Sequence, residues 1–204
     1  MPGIKICGLT RPEDIRTVNR FLPDFIGFVF APSRRQIDAD TASMLKSGLD
    51  PSIRSVGVFV NEDISRMEEL CRRGIIDLIQ LHGDEDECYI QSLRSVTDLP
   101  IIKAVRVSVR EDIIKASQLS ADFLLLGTYV KGICGGSGKQ FGWDLIPPLR
   151  QPWFLAGGLN LQNLPRALKL PAYCLDLSSS LETDGKKDEE KIRSVMELIR
   201  KHTE

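Results

Sequence analysis

A lysine and a cysteine two positions apart, Lys5 and Cys7, begin the chain's reactive chemistry, in the run Lys5-Ile6-Cys7-Gly8. On a strand they share one face, while Ile4 and Ile6 share the other. The apolar pair belongs against helices, so Lys5 and Cys7 point to the opposite side. A buried ammonium needs a partner, and a neighbouring cation favours the thiolate, the reactive form of cysteine. Two readings stay open: a thiolate poised by Lys5, or an inert buried thiol beside a structural ion pair. His82 is one of only two histidines, the other being His202. It stands as a structural, hydrogen-bonding or catalytic group. Neither histidine has partners at metal-ligand spacing, so no metal is expected. Gly157-Gly158 and Ser178-Ser179 are sites where backbone amides could approach an anion closely; the alternative is a pair of tight turns. Gly135-Gly136-Ser137-Gly138-Lys139 lies in a glycine-rich stretch suited to a lid. It is not a nucleotide P-loop, because Lys139 is followed by Gln140.

Eight short apolar runs must position these residues. They are Ile4–Cys7, Phe25–Phe30, Ser55–Val60, Ile75–Leu81, Ile101–Val105, Phe123–Leu126, Phe154–Ala156 and Tyr173–Leu177. Amphipathic stretches alternate with them: Pro12–Phe21 after Thr10 as N-cap, Ala39–Lys46 after Asp38, Asp63–Arg73 after Asn61, and Asp84–Val96. Arg110–Gln118, Trp143–Leu149, Gln162–Leu168 and Glu189–His202 follow. Eight βα units without a linker predict one α/β domain over residues 1–204, a (β/α)8 TIM barrel of near-minimal length. An open doubly wound sheet is the alternative, but no GxGxxG follows the first strand. In a barrel the active site lies at the C-terminal strand ends, and phosphate is often held by the loops after strands seven and eight.

The chain has 204 residues, 42% of them hydrophobic, and a formal net charge of −1. That balance argues against the broad basic face of a nucleic-acid binder. No run approaches the roughly 18 apolar residues of a membrane span, and the N-terminus lacks a signal peptide's apolar region. The five cysteines are odd in number, with no CxxC pair, which suits free thiols in the cytoplasm.

Taken in order, Lys5-Ile6-Cys7-Gly8-Leu9-Thr10, Gly27-Phe28-Val29-Phe30 with Ser33-Arg34-Arg35, Val56–Asn61, Gln80-Leu81-His82-Gly83, Gly135–Lys139, Ala156-Gly157-Gly158-Leu159 and Asp176-Leu177-Ser178-Ser179 form a series. Glu182 and Lys187-Asp188 follow it. This series resembles the phosphoribosylanthranilate isomerase family over essentially the whole chain. The resemblance implies a (β/α)8 barrel that carries out an Amadori rearrangement in tryptophan biosynthesis. N-(5′-phosphoribosyl)anthranilate would become the carboxyphenylamino-deoxyribulose phosphate, with no redox cofactor or metal. It implies Cys7 as general base and Arg35 against the anthranilate portion. Gln80, His82 and Asp176 would line the substrate pocket, and Gly157, Gly158, Ser178 and Ser179 would form the phosphate cradle. Nothing beyond a monomer and a small phosphorylated substrate is required.

Two positions depart from the family pattern. The family ends strand six with an aspartate, its general acid, where this chain reads Leu126-Gly127-Thr128. Asp122 is five residues away, roughly 16 Å along a strand. Ser180 stands where a glycine is expected after the two serines. Three outcomes stay open: a replacement acid such as Tyr129, Asp176 or a water; a slow isomerase; or a silent barrel that still binds a phosphorylated ligand.

Overall fold

The computed structural model describes residues 1–128 and 141–202; the lid segment Gly135–Gly138, with Tyr129 and Lys139, lies outside them. Eight parallel strands close in sequence order into a barrel: β1 (Gly3–Cys7), β2 (Phe25–Val29), β3 (Arg54–Phe59), β4 (Leu78–Leu81), β5 (Ile101–Val107), β6 (Phe123–Thr128), β7 (Trp153–Leu155) and β8 (Cys174–Leu177). The helices are α1 (Pro12–Phe21), α2 (Ala39–Ser47), α3 (Ile64–Arg72), α4 (Glu87–Arg94), α5 (Arg110–Ala116), α6 (Leu164–Ala167) and α7 (Glu189–Lys201). Among the described residues, no helix is long and apolar enough to cross a membrane.

Two apolar layers follow from the period-two alternation of the strands. Outward residues such as Ile4 and Ile6 pack with the helix residues Ile15 and Val18. Inward residues Phe25, Val56, Leu78, Ile102, Leu125 and Phe154 fill the lower barrel. Phe25 and Phe123 both meet the Phe154 ring edge-on. This plug closes the N-terminal end and leaves the C-terminal rim for the polar groups.

Several boundaries differ from the sequence expectation, each for a local reason. The α1 N-cap is Arg11 rather than Thr10; Asp14 folds back so that one carboxylate oxygen accepts from the backbone N–H groups of both Thr10 and Arg11. The fourth helix begins at Glu87, not Asp84. Glu85 turns inward as an acceptor for the Gly83 N–H, and Asp86 caps the helix through the Tyr89 N–H. Ile75 and Ile76 are buried ahead of β4 rather than within it. The segment after 141 forms only a 3₁₀ turn, Trp143–Leu145, since Pro147 and Pro148 lack the N–H groups a longer helix needs. A small antiparallel hairpin, β9 (Glu182–Thr183) with β10 (Lys186–Lys187), follows β8 and was not expected from the sequence.

Candidate active site

The C-terminal rim encloses a cavity of about 370 Å³ whose wall includes Cys7, Arg35, Gln80, His82, Asp176 and Gly127. The backbone turns at Gly157, Gly158, Ser178 and Ser179 line it too, so all nine expected catalytic, pocket and phosphate residues meet in one space.

Lys5 sits beneath the floor, fully buried. Its ammonium donates to Asp176 Oδ2 at 2.9 Å and to Gln80 Oε1 at 3.0 Å, and it also interacts with the Cys7 thiol. Burial opposes a charged lysine, but Asp176 and Cys7 outweigh it and hold its pKa above the ordinary value. Cys7 lies one layer higher. Burial raises the thiol's pKa, against the lowering pull of Lys5 and Lys187. A cation beneath the thiol therefore moderates the protonated resting state without reversing it. Gly27 makes the room: a Cβ there would stand 2.6 Å from Cys7 Sγ.

Gln80 fixes its neighbour's tautomer. Its Oε1 accepts from Lys5, so its amide nitrogen is the group facing His82 Nδ1 at 2.9 Å. Nδ1 must then accept, which puts the ring proton on Nε2. Burial, then Lys5, Arg106 and Lys103, push the His82 pKa down to about 4, so the ring is a neutral donor at physiological pH.

Arg35 reaches the pocket from the loop after β2. Its Nε and Nη2 engage both oxygens of Glu182 at 2.7 and 2.9 Å. Its stem lies over Gly8, where a Cβ would come within 2.4 Å of Arg35 Cδ. Glu182 also accepts from Lys187 at 2.7 Å, and Lys187 donates to the Ser178 carbonyl at 3.2 Å. The β9–β10 hairpin thus ties the arginine arm to the loop after β8. Sequence reasoning placed Glu182 and Lys187 in a motif without giving them a task. Their opposition across a four-residue turn was the available signal.

The turns after β7 and β8 also line the cavity. Gly157 and Gly158 adopt φ of +87° and +70°, a region that glycine enters without steric cost. A Cβ at Gly157 would collide with Thr128 Oγ1 at 2.7 Å. The Ser178 hydroxyl donates to the Cys7 carbonyl at 3.0 Å, so it braces the loop after β8 against β1. Ser180 is not among the residues with positive φ; serine here costs no left-handed strain, and its hydroxyl is buried without a partner among the described residues.

Gly127 lines the cavity, and a Cβ there would make only ordinary van der Waals contacts, the nearest at 3.9 Å. Asp122 is committed at the other end of β6, accepting the Ile101 N–H.

This geometry has close relatives. Residues 4–198 match the family model of N-(5′-phosphoribosyl)anthranilate (PRA) isomerase. The chain is 51% identical to the N-(5′-phosphoribosyl)anthranilate isomerase of Endomicrobium trichonymphae, over 98% of this chain and 99% of that protein. It is 43% identical to the isomerase of Clostridium acetobutylicum, over 98% and 99%. The phosphoribosyl anthranilate isomerase of Thermus thermophilus superposes with a TM-score of 0.86 at 30% identity, covering 99% of this chain and all of that one. Another crystal structure of the isomerase, in complex with reduced 1-(o-carboxyphenylamino)-1-deoxyribulose 5-phosphate, superposes at 0.81 and 29% identity, over 98% and 100%. The chain belongs to the N-(5′-phosphoribosyl)anthranilate isomerase family, the isomerases of tryptophan biosynthesis.

Proposed function

We propose that this chain isomerises N-(5′-phosphoribosyl)anthranilate with Cys7 as the general base, Arg35 as the counter-charge to the anthranilate carboxylate, and the backbone at Gly157, Gly158, Ser178 and Ser179 as the phosphate cradle. One observation carries the reading: the Cys7 thiol stands in a cavity with a guanidinium on one side and positive-φ glycines on the other. A substrate with a carboxylate at one end and a phosphate at the other spans such a site with its sugar over the sulfur. A structural neighbour bound to the reduced product supports the same substrate class.

The chemistry needs the furanose ring opened and a proton taken from the adjacent sugar carbon. Cys7, as thiolate, takes that proton. Lys5, Lys187 and Arg35 all act on the sulfur and lower the cost of its anion, against burial, which raises the thiol's pKa. Gln80 and the His82 Nε2–H line the wall and orient the sugar hydroxyls.

A second reading is a barrel that binds its phosphorylated ligand without turning it over. The observation favouring it is Gly127, which has no proton to give. Substrate fluorescence separates the two. The native chain should quench the anthranilate emission well above the spontaneous rate, and Cys7→Ser should lower kcat by about 10²–10⁴-fold. Decay no faster than without protein, with the reduced product still bound, would establish the silent barrel.

A further inference from the structure

The proton that opens the ring has no donor at position 127, and among the described residues few groups in the cavity can supply it. His82 is a neutral imidazole, a weak acid at its remaining N–H, because its pKa lies near 4. Asp122 is held at the opposite end of β6. Asp176 differs from both. Its Oδ2 takes the Lys5 ammonium, while Oδ1 is buried and has no hydrogen-bond partner among the described residues. The carboxyl belongs to the cavity wall.

Strand register puts Asp176 beside the missing acid. Leu126 pairs with Leu155, and Leu155 with Leu175, so Gly127, Ala156 and Asp176 occupy one level across β6, β7 and β8. At a strand spacing of about 4.8 Å, the Asp176 and Gly127 Cα atoms are roughly 10 Å apart. Both face the cavity, and only Ala156 stands on the strand between them. A carboxyl reaching inward from β8 therefore approaches the space a side chain at 127 would fill.

Resting on the reading of Cys7 as base, we propose that Asp176 donates the proton to the departing ring oxygen, as the replacement general acid of this chain. The bond from the anomeric carbon to the ring oxygen breaks with its electron pair going to oxygen. That oxygen takes the Asp176 proton and becomes a hydroxyl, while the anthranilate nitrogen lone pair forms the iminium. Cys7 thiolate removes the proton from the adjacent carbon, and the released pair forms the enolamine and neutralises the nitrogen. The enzyme is left as thiol and carboxylate. Lys5 contacts both groups, and return of one proton from Cys7 to Asp176 along this contact restores the starting form. The enolamine becomes the ketone by moving its hydroxyl proton to carbon, without any co-reactant.

Charge around the sulfur favours this one-proton arrangement. Lys5, Arg35 and Lys187 are three cations against two carboxylates, Asp176 and Glu182, leaving one positive charge over. The substrate carboxylate at Arg35 cancels it. The remaining proton then lies between Cys7 and Asp176, and the tautomer with thiolate and carboxylic acid carries base and acid together. Burial raises the pKa of Asp176 against the pull of Lys5 and Lys187, as it raises that of Cys7; Lys5, in contact with both groups, supports whichever one carries the charge.

Native turnover, measured first, tests the isomerase reading; a double-mutant cycle then tests Asp176. Asp176→Asn should lower kcat by about 10²–10⁴-fold, the worth of one acid–base group, with far smaller changes in KM and in affinity for the reduced product. Gly127→Asp should recover at least about a hundredfold in the Asn background and gain less than about tenfold by itself. A native-like kcat in Asp176→Asn, or an equal gain from Gly127→Asp in both backgrounds, overturns the proposal. Where loss of the Lys5 counter-charge prevents the Asn variant from folding, Gly127→Asp alone decides. A gain below about tenfold supports Asp176 and a larger one refutes it.

Discussion

Among the described residues three lysine–carboxylate pairs are buried, and two of them, Lys103–Glu85 and Lys5–Asp176, are finished to different degrees. Lys103 donates to Glu85 at 2.7 Å and to the Gly83 carbonyl at 2.8 Å; Glu85 further accepts the N–H groups of Gly83 and Asn61. Both Glu85 oxygens are used, and the pair fixes the turn into α4. Lys5 and Asp176 are as close, at 2.9 Å, but Asp176 keeps one oxygen without a partner among the described residues. A buried carboxylate left half-solvated by the protein is costly. The first pair is architecture; the second leaves one oxygen unsatisfied, which the proposed mechanism puts to use as a proton donor.

The sharpest way to break this contrast is Glu85→Gln. It orphans a buried ammonium and weakens two backbone donors, so it should cost about 3–5 kcal/mol in urea unfolding. The molecules that remain folded should keep their kcat. A loss of activity at full stability would erase the distinction between the pairs.

His82 lies between the two lysines, and acid probes it next. Its folded pKa is depressed from 6.5 to about 4, so the unfolded chain binds the extra proton first as pH falls. The stability tied to the neutral ring is complete above pH 6.5 and is lost as pH falls toward 4, by up to about 3 kcal/mol. Native and His82→Asn chains, unfolded in parallel across that window, should diverge by this amount; parallel curves would contradict the assigned burial and charge.

Glu182→Gln comes third. Arg35 would lose its two-pronged partner, worth about 1.5–3 kcal/mol for a charged hydrogen bond. Because the lost contact lies beyond the reacting atoms, KM should rise about tenfold or more while kcat changes less. The reverse split would move Glu182 into the chemistry. The smallest effect belongs to Gly157→Ala. It forces a non-glycine residue to φ +87° against Thr128, at a cost of about 1–3 kcal/mol. Inorganic phosphate should then protect less against thermal unfolding than in the native chain. Equal protection would remove this turn from the cradle.

The alternation in Ile4-Lys5-Ile6-Cys7 was enough to place the lysine and thiol inside, and the βα spacing was enough to predict the closed barrel. Gly157-Gly158 announced a special backbone because few residues tolerate positive φ. Other features were hidden for physical reasons. Arg35 and Glu182 are 147 positions apart, and no local pattern pairs them. Lys103 and Glu85 each read as ordinary helix-flank or strand charges until the barrel closes around them. Helix limits near Thr10 and Asp84 shifted because Asp14 and Glu85 satisfy backbone donors that simple capping rules give to other residues.

Everything depends on the Cys7 sulfur removing the proton from the sugar carbon next to the anomeric centre. Turnover of substrate deuterated at that carbon, compared with ordinary substrate, tests this directly in the native and Cys7→Ser chains. The native chain should show slower single-turnover decay with deuterium, and Cys7→Ser should bind the reduced product yet convert either substrate about 10²–10⁴-fold more slowly. Conversion by Cys7→Ser at the native rate, with the same isotope dependence, would assign the base to another group.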